Sequence, residues 1–378
     1  MSWITGVGLT SFGRLSGQDT LALMADAAEL ALIDAQLVRS QVDGLLCGYS
    51  TTMPHLMLST VFAEHFGLSP SYAHGMQVGG ATGLAMLMLA HELVNGGLCN
   101  HVLVVAGENR LSGQSPDEAL RNLAQVGHPR YELPFGATIP AYYALVASRY
   151  MHRFGLREED LAELAVAMRR NAKLHTGAHR REPIAIDDVL NSRSIASPLK
   201  LLDCCPVSDG AAAFVVSRER TSAFGVRVLG CGQAHTHQHV TAAHDLTMFG
   251  AAASLEQASA RTGVLAADAR YAAIYDSFTI TLAILLEELG LAPRGGSAER
   301  ARNGDFDING NLPLNTHGGL LSYGHCGVGG AIAHLVEAHQ QMTERAANRQ
   351  VRDASLALIH CDGGVLSSHV TAFLERVH

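Results

Sequence analysis

The chain has 378 residues, 48% hydrophobic and only 16% charged, with a net charge of −8. At roughly 100–200 residues per domain this predicts two to three domain-sized units around a large core, with no basic face for nucleic acid or anionic lipid. No apolar run reaches the about 18 residues of a membrane span, Met1-Ser2-Trp3-Ile4 lacks a basic secretory leader, and seven irregularly spaced cysteines suit reduced thiols in a cytoplasm.

In chain order, Trp3–Gly8 predicts a short strand. Asp19–Ala35 predicts an amphipathic helix, with Leu21, Met24, Ala25, Ala28 and Leu32 at helical spacing. A buried strand at Val42–Cys47, a helix at Met53–Phe66, a Gly-rich turn and a helix at Gly83–Asn95 follow. His101–Gly107 is a continuous apolar strand. From about 111 to 202 the chain is richer in charge and tyrosine and reads as helical excursions without clear strands. Asp209–Val216 returns to strand, and the pattern restarts near Val226–Gly230. It continues through a strand at Tyr271–Tyr275, a helix at Phe278–Leu289, a loop at Asn315–Gly330 and a helix at Gly329–Met342. Strands at Ser355–His360 and Ser367–Leu374 close it. Strands separated by helices imply layered βαβ units, here two similar halves with an inserted helical segment.

Several short motifs carry chemistry. Gly79-Gly80-Ala81-Thr82-Gly83 is a tight turn at a helix start, where backbone N–H groups can face an oxygen. Gly324-His325-Cys326-Gly327 places an imidazole ahead of an apolar helix. Cys361-Asp362-Gly363-Gly364 puts a thiol at a strand end, and a thiol can work as an acid or base when a neighbour shifts its pKa. Tyr275 and Tyr323 bring phenols that can hydrogen-bond a substrate oxygen. His235, His237 and His239 alternate, with His244 beyond, but no carboxylate or cysteine completes a metal shell, so no metal is expected. Arg169, Arg170 and Lys173 could meet phosphates or form a solvated helix face.

Taken in order, Ile4–Gly8, Asp203–Ala213, Tyr275-Asp276-Ser277-Phe278 and Gly324–Gly327 span nearly the full length. They resemble the thiolase superfamily, and within it the branch of the sterol-carrier-protein thiolases and lipid-transfer-type thiolase-like proteins. Where that family carries its acyl-accepting cysteine, Gly80 stands here. Cys326 replaces the family's usual proline. Tyr275 stands where relatives carry asparagine or histidine.

The resemblance implies an α/β protein of the thiolase fold: a duplicated five-layer αβαβα architecture with an inserted helical loop domain at about 112–200 that holds coenzyme A. The halves are expected at 1–220 and 221–378, the assembly as a homodimer. His325, Cys361 and Tyr275 would be catalytic, with Gly80 and Gly363 as backbone donors to a thioester oxygen. Cys326 is a possible replacement nucleophile, and Tyr323 and Asn315 would shape the substrate pocket. The expected substrate is an acyl-CoA thioester, with no permanently bound cofactor. Without the first thiol, enolate chemistry remains. The leading expectation is retro-aldol cleavage of a β-hydroxyacyl-CoA, with Tyr275 or His325 as base and Cys361 as proton donor. Relatives lacking the cysteine often work with a DUF35-type partner bearing an OB-fold and zinc ribbon. The alternatives are acyl transfer through another residue or a partner, and a non-catalytic acyl-CoA-binding subunit.

Overall fold

The computed structural model describes residues 1–220 and 224–377. The first half runs β1 (Ser2–Leu9), α1 (Thr20–Ala35), β2 (Gly44–Gly48), α2 (Leu58–Phe66), β3 (Tyr72–Met76), α3 (Thr82–Asn95) and β4 (His101–Asn109). The excursion holds α4 (Pro116–Ala124), α5 (Ile139–Phe154), α6 (Glu158–Ala172), α7 (Ile186–Leu190) and a hairpin of β5 (Ser194–Ala196) with β6 (Leu199–Lys200). Then come β7 (Asp209–Ser217), β8 (Gly225–His235), α8 (Ala251–Thr262), β9 (Tyr271–Ile274) and α9 (Thr279–Glu288). The chain ends with α10 (Ser297–Arg302), α11 (Gly319–Ser322), α12 (Val328–Met342), β10 (Leu356–Gly363) and β11 (Ser368–Val377). The boundary expected between 220 and 221 abuts residues 221–223, which lie outside the described residues.

Most predicted elements form, and the differences have local causes. The helix expected from Met53 begins only at Leu58, because Pro54 and the polar residues before it form turns. Strand β3 was missed: Tyr-Ala-His-Gly-Met has no apolar alternation, being an edge strand with little burial. Helix α8 was missed as well, its Ala/Ser/Gln surface burying only Ala251, Ser254 and Ala258. The hairpin β5–β6 corrects the expectation of an excursion without strands.

The nine long strands form one ladder in the order β3-β2-β4-β7-β1-β8-β11-β10-β9. Its two sides mirror each other, with antiparallel pairs near the middle and parallel pairs outside, β2 with β3 and β4 on one side and β9 with β10 on the other. The halves meet where Ser2, Trp3 and Ile4 pair with Val228, Arg227 and Val226. The layers follow from what each helix touches. Helices α1 and α2 cover the first half, α8 covers the second, and α3 and α12 contact strands of both. The sheet therefore folds around α3 and α12, and the main core, with Leu84, Leu87, Ile332 and Leu335, lies there. Strand β4 is apolar from Val102 to Gly107 because both its faces are covered. The duplication repeats in detail: a methyl at Gly8 would stand 2.0 Å from the Ala27 carbonyl of α1, and one at Gly232 would stand 2.1 Å from the Ser254 carbonyl of α8.

A buried ionic network ties the end of α12 to the loops beside it. Glu337 accepts from Thr316 at 2.6 Å, from Gln341 at 3.2 Å and from Arg349 at 3.1 and 3.0 Å. Removing one partner leaves the other charge buried and uncompensated. Arg349→Met is expected to lower unfolding free energy by about 3–5 kcal/mol, read by denaturant titration.

Candidate active site

The loops after β3, β9 and β10 converge with the loop before α12. Their close approach depends on missing side chains. A Cβ at Gly363 would stand 2.1 Å from the Val78 carbonyl oxygen, so the loop at 363–364 lies directly on the turn at 78–81. A Cβ at Gly80 would stand 2.3 Å from Tyr275 Oη and 2.5 Å from the Asp362 carbonyl oxygen. The phenol thus fills the space that any side chain at position 80 would need.

His325 is held by its backbone and by both ring nitrogens. Its N–H donates to Pro206 O at 3.0 Å, and its carbonyl accepts from Ser208 at 3.1 Å, so its loop is fastened to residues 206–208. The Gly327 N–H donates to Nδ1 at 3.1 Å, and the Arg110 guanidinium does so at 3.3 Å. With Nδ1 accepting, the ring proton belongs on Nε2, which donates to Tyr275 Oη at 3.0 Å. Burial first, then the Arg110 charge, push this imidazole down to about 3. His325 is therefore a neutral donor. This corrects the expectation that it could serve as the base.

Tyr275 closes the cluster. Its N–H donates to His360 O at 2.9 Å at the end of β9. Burial, then Asp362, raise its phenol well above the usual range. The Cys361 thiol, fully buried on β10, is likewise raised by burial and by Asp362. Tyr143 on α5 stacks on Phe278 at 4.3 Å and donates to Gly364 O at 3.1 Å and to Asp362 Oδ2 at 3.4 Å. The Asp362 carboxyl is 1% exposed, Oδ1 has no hydrogen-bond partner, and burial raises its pKa to about 7.

Three expected site residues stand elsewhere. Asn315 adopts φ +45° and spends its amide on one strand residue: Oδ1 accepts from Ile274 N at 2.8 Å and Nδ2 donates to Ile274 O at 2.7 Å. It fixes the residue before Tyr275 instead of lining a pocket. Tyr323 turns away, donating to Thr10 O at 3.1 Å and packing edge-on against Phe12 and His175. Cys326 shares that separate apolar cluster with Phe12, Ala172 and Tyr323, and burial raises its thiol well above the usual range. Adjacency to His325 does not bring it to Tyr275, and its environment is the reverse of what activates a thiol.

Several of the other sequence candidates have structural partners. Arg169 is buried on Ser322 and the Glu182 carbonyl, and Arg170 pairs with Asp307 at 2.8 Å. His235 bonds Ser368 and His237 bonds the Val365 carbonyl. Among the described residues no group of three or more His, Cys, Asp or Glu is arranged for a metal. Sequence reasoning missed Arg110, Tyr143 and Asp362. Arg110 and Tyr143 give no local signal, but Asp362 lies inside a motif already singled out. Two surface cavities, of about 510 Å³ beside β3 and about 310 Å³ at the β1–β8 seam, include neither Tyr275 nor His325 nor Cys361.

Known proteins resemble this chain along its whole length. Residues 232–376 match the thiolase C-terminal domain-like family model. The chain is 31% identical to a steroid side-chain-cleaving aldolase of Thermomonospora curvata, over 99% of this chain and 98% of that one. It is 28% identical to an acetyl-CoA acetyltransferase of Methanothermobacter thermautotrophicus, over 96% of each. A solved structure titled Ltp2-ChsH2(DUF35) aldolase superposes with a TM-score of 0.86 at 30% identity, covering 99% of this chain and 97% of that one. The chain belongs to the thiolase superfamily, in its sterol-carrier-protein-thiolase-like branch. It has the fold of an enzyme class that works on acyl-CoA thioesters.

The geometry makes a thiol at position 80 and the phenol of Tyr275 mutually exclusive. Gly80→Cys is expected to cost about 1–3 kcal/mol by overpacking. Adding Tyr275→Ala should recover part of that loss, with a coupling of about 0.5–3 kcal/mol in a double-mutant cycle of denaturant unfolding.

Proposed function

We propose that this chain is an acyl-CoA lyase that cleaves a β-hydroxyacyl-CoA by a retro-aldol reaction, without an acyl-enzyme. The observation that carries this reading is Tyr275 Oη filling the nucleophile's position while bonded to His325 Nε2. A site with no room for a thiol cannot take an acyl group at position 80. What it retains is a set of neutral donors in a water-poor setting, suited to an oxygen that gains charge. The aldolase relatives support the same reading.

In this reaction His325 donates from Nε2 to the thioester oxygen as it becomes an enolate, joined by the backbone N–H groups of Gly80 and Gly363. Tyr275, released from that bond, turns to the substrate hydroxyl. The Cα–Cβ bond breaks to give a ketone or aldehyde and the enolate of a shorter acyl-CoA. Cys361 returns a proton to Cα. The coenzyme A moiety lies against the excursion at about 112–200, and no resident cofactor takes part. The resemblance to a DUF35-bearing complex supports a separate partner of that type, and the fold supports a homodimer. Among the described residues no helix is long and apolar enough to cross a membrane.

A second reading is acyl transfer, favoured by the acetyltransferase relative. Incubation with β-hydroxyacyl-CoAs followed by mass spectrometry separates the two. A shorter acyl-CoA plus a carbonyl compound, with no acylated cysteine, is expected. A turning-over adduct on Cys326 or Cys361 would establish acyl transfer instead. His325→Ala is expected to lower kcat by about 10²–10³-fold, as for one lost oxyanion donor. Unchanged turnover in that variant would leave only a binding role.

A further inference from the structure

Retro-aldol cleavage needs a group that is unprotonated at working pH to take the hydroxyl proton. The neighbours do not supply one. His325 has Nδ1 occupied by two donors and presents N–H at Nε2. The phenols of Tyr275 and Tyr143 and the thiol of Cys361 are all held protonated by burial. Asp362 differs in geometry. Its carboxyl is buried among these groups, Oδ2 accepts from Tyr143, and Oδ1 is without a partner. Its backbone oxygen and the Tyr275 hydroxyl approach the same point beside Gly80.

We propose that Asp362 is the proton acceptor of this site, its Oδ1 taking the proton that the substrate hydroxyl loses. The inference rests on the aldol reading above and names its base. The hydroxyl proton moves to Asp362, and the O–H electron pair completes the new C=O. The Cα–Cβ pair moves into the thioester as the enolate, and the Cys361 S–H proton goes to Cα. Transfer of the proton from Asp362 to the thiolate resets the site, with no net proton, oxidant or reductant.

The groups around Asp362 suit this role. They are Tyr143 from α5, Tyr275 beyond β9, Cys361 on its own strand, and His369 across the ladder on β11. His369 is neutral, pushed to about 4 by burial. Burial of the Asp362 carboxylate outweighs its bond from Tyr143, which leaves its titration near pH 7, where a general base is most effective.

The test uses the purified protein, or the complex in which it purifies, with Asp362→Asn. Because asparagine carries no charge, the wild type should lose stability relative to the variant as pH rises through about 7. The Tm difference should therefore grow between about pH 5 and 8. A flat difference overturns the proposal without any assay of activity. With β-hydroxyacyl-CoA, the variant should cleave at least about 100-fold more slowly, the usual share of a general base. Cleavage within tenfold of wild type overturns the proposal. If the variant does not fold, carboxyl NMR of ¹³C-Asp-labelled wild type replaces it. A buried carboxyl titrating near 7, with cleavage rising over the same range, supports the assignment, and its absence overturns it. A wild type that cleaves nothing at any pH, while its carboxyl titrates near 7, refutes the aldol reading instead.

Discussion

One small volume, bounded by the backbone at Gly80, the carbonyl of Asp362 and the ring of Tyr275, governs this site. A phenol oxygen occupies it, so a side chain at position 80 cannot. The surrounding structure keeps the phenol there. Asn315 pins the last residue of β9 through both ends of its amide, and the Tyr275 N–H reaches His360 on β10. The loop at 363–364 closes on the turn at 78–81 because glycine lets the two backbones touch. His325 then meets the phenol from the far side, oriented by Arg110 and Gly327. The exchange of thiol for phenol is thus a property of four loops and not of a single substitution.

Desolvation is the largest influence on every shifted group in this cluster. It holds Tyr143, Tyr275 and Cys361 protonated and His325 unprotonated, so each is uncharged. Neutral donors in a water-poor pocket do little for a neutral carbonyl and much for an oxygen acquiring charge, which is the condition for rate enhancement. A buried thiol in such surroundings is a poor nucleophile but retains a proton to give. The physics that would handicap acyl transfer therefore favours an enolate.

Much of this was legible in the chain. Four motifs in family order indicated the fold, and Gly80, Tyr275, His325 and Cys361 were readable because each sits inside one. What escaped depended on contacts between distant positions. Arg110 touches His325 across 215 residues and has no local mark. Tyr143 reads as one helical tyrosine among several until α5 is packed on Phe278. Cys326 looked promising because it adjoins His325, yet its side chain packs into the separate cluster of Phe12, Ala172 and Tyr323. Asn315 looked like pocket because a polar side chain in a Gly-rich loop does not reveal that Ile274 consumes it. Strand β3 and helix α8 were invisible because shallow burial leaves little periodicity to read.

The duplicated architecture explains why the site needs the whole chain. Gly80 introduces α3 from one half, while His325 introduces α12, and Tyr275 and Asp362 end β9 and β10, in the other. The two helices share the middle layer, and each packs on strands of both halves. A methyl at Gly83 on α3 would stand 2.9 Å from Ile332 on α12, so the two helices touch just beyond the site. A shift between halves would therefore move the phenol relative to position 80. The ladder pairs at Ser2, Trp3 and Ile4 resist that shift, joining the halves by backbone hydrogen bonds in addition to packing. Positioning to within fractions of an ångström is what the crowded contact between Tyr275 and Gly80 demands. A continuous sheet folded around two shared helices is a structure stiff enough to provide it.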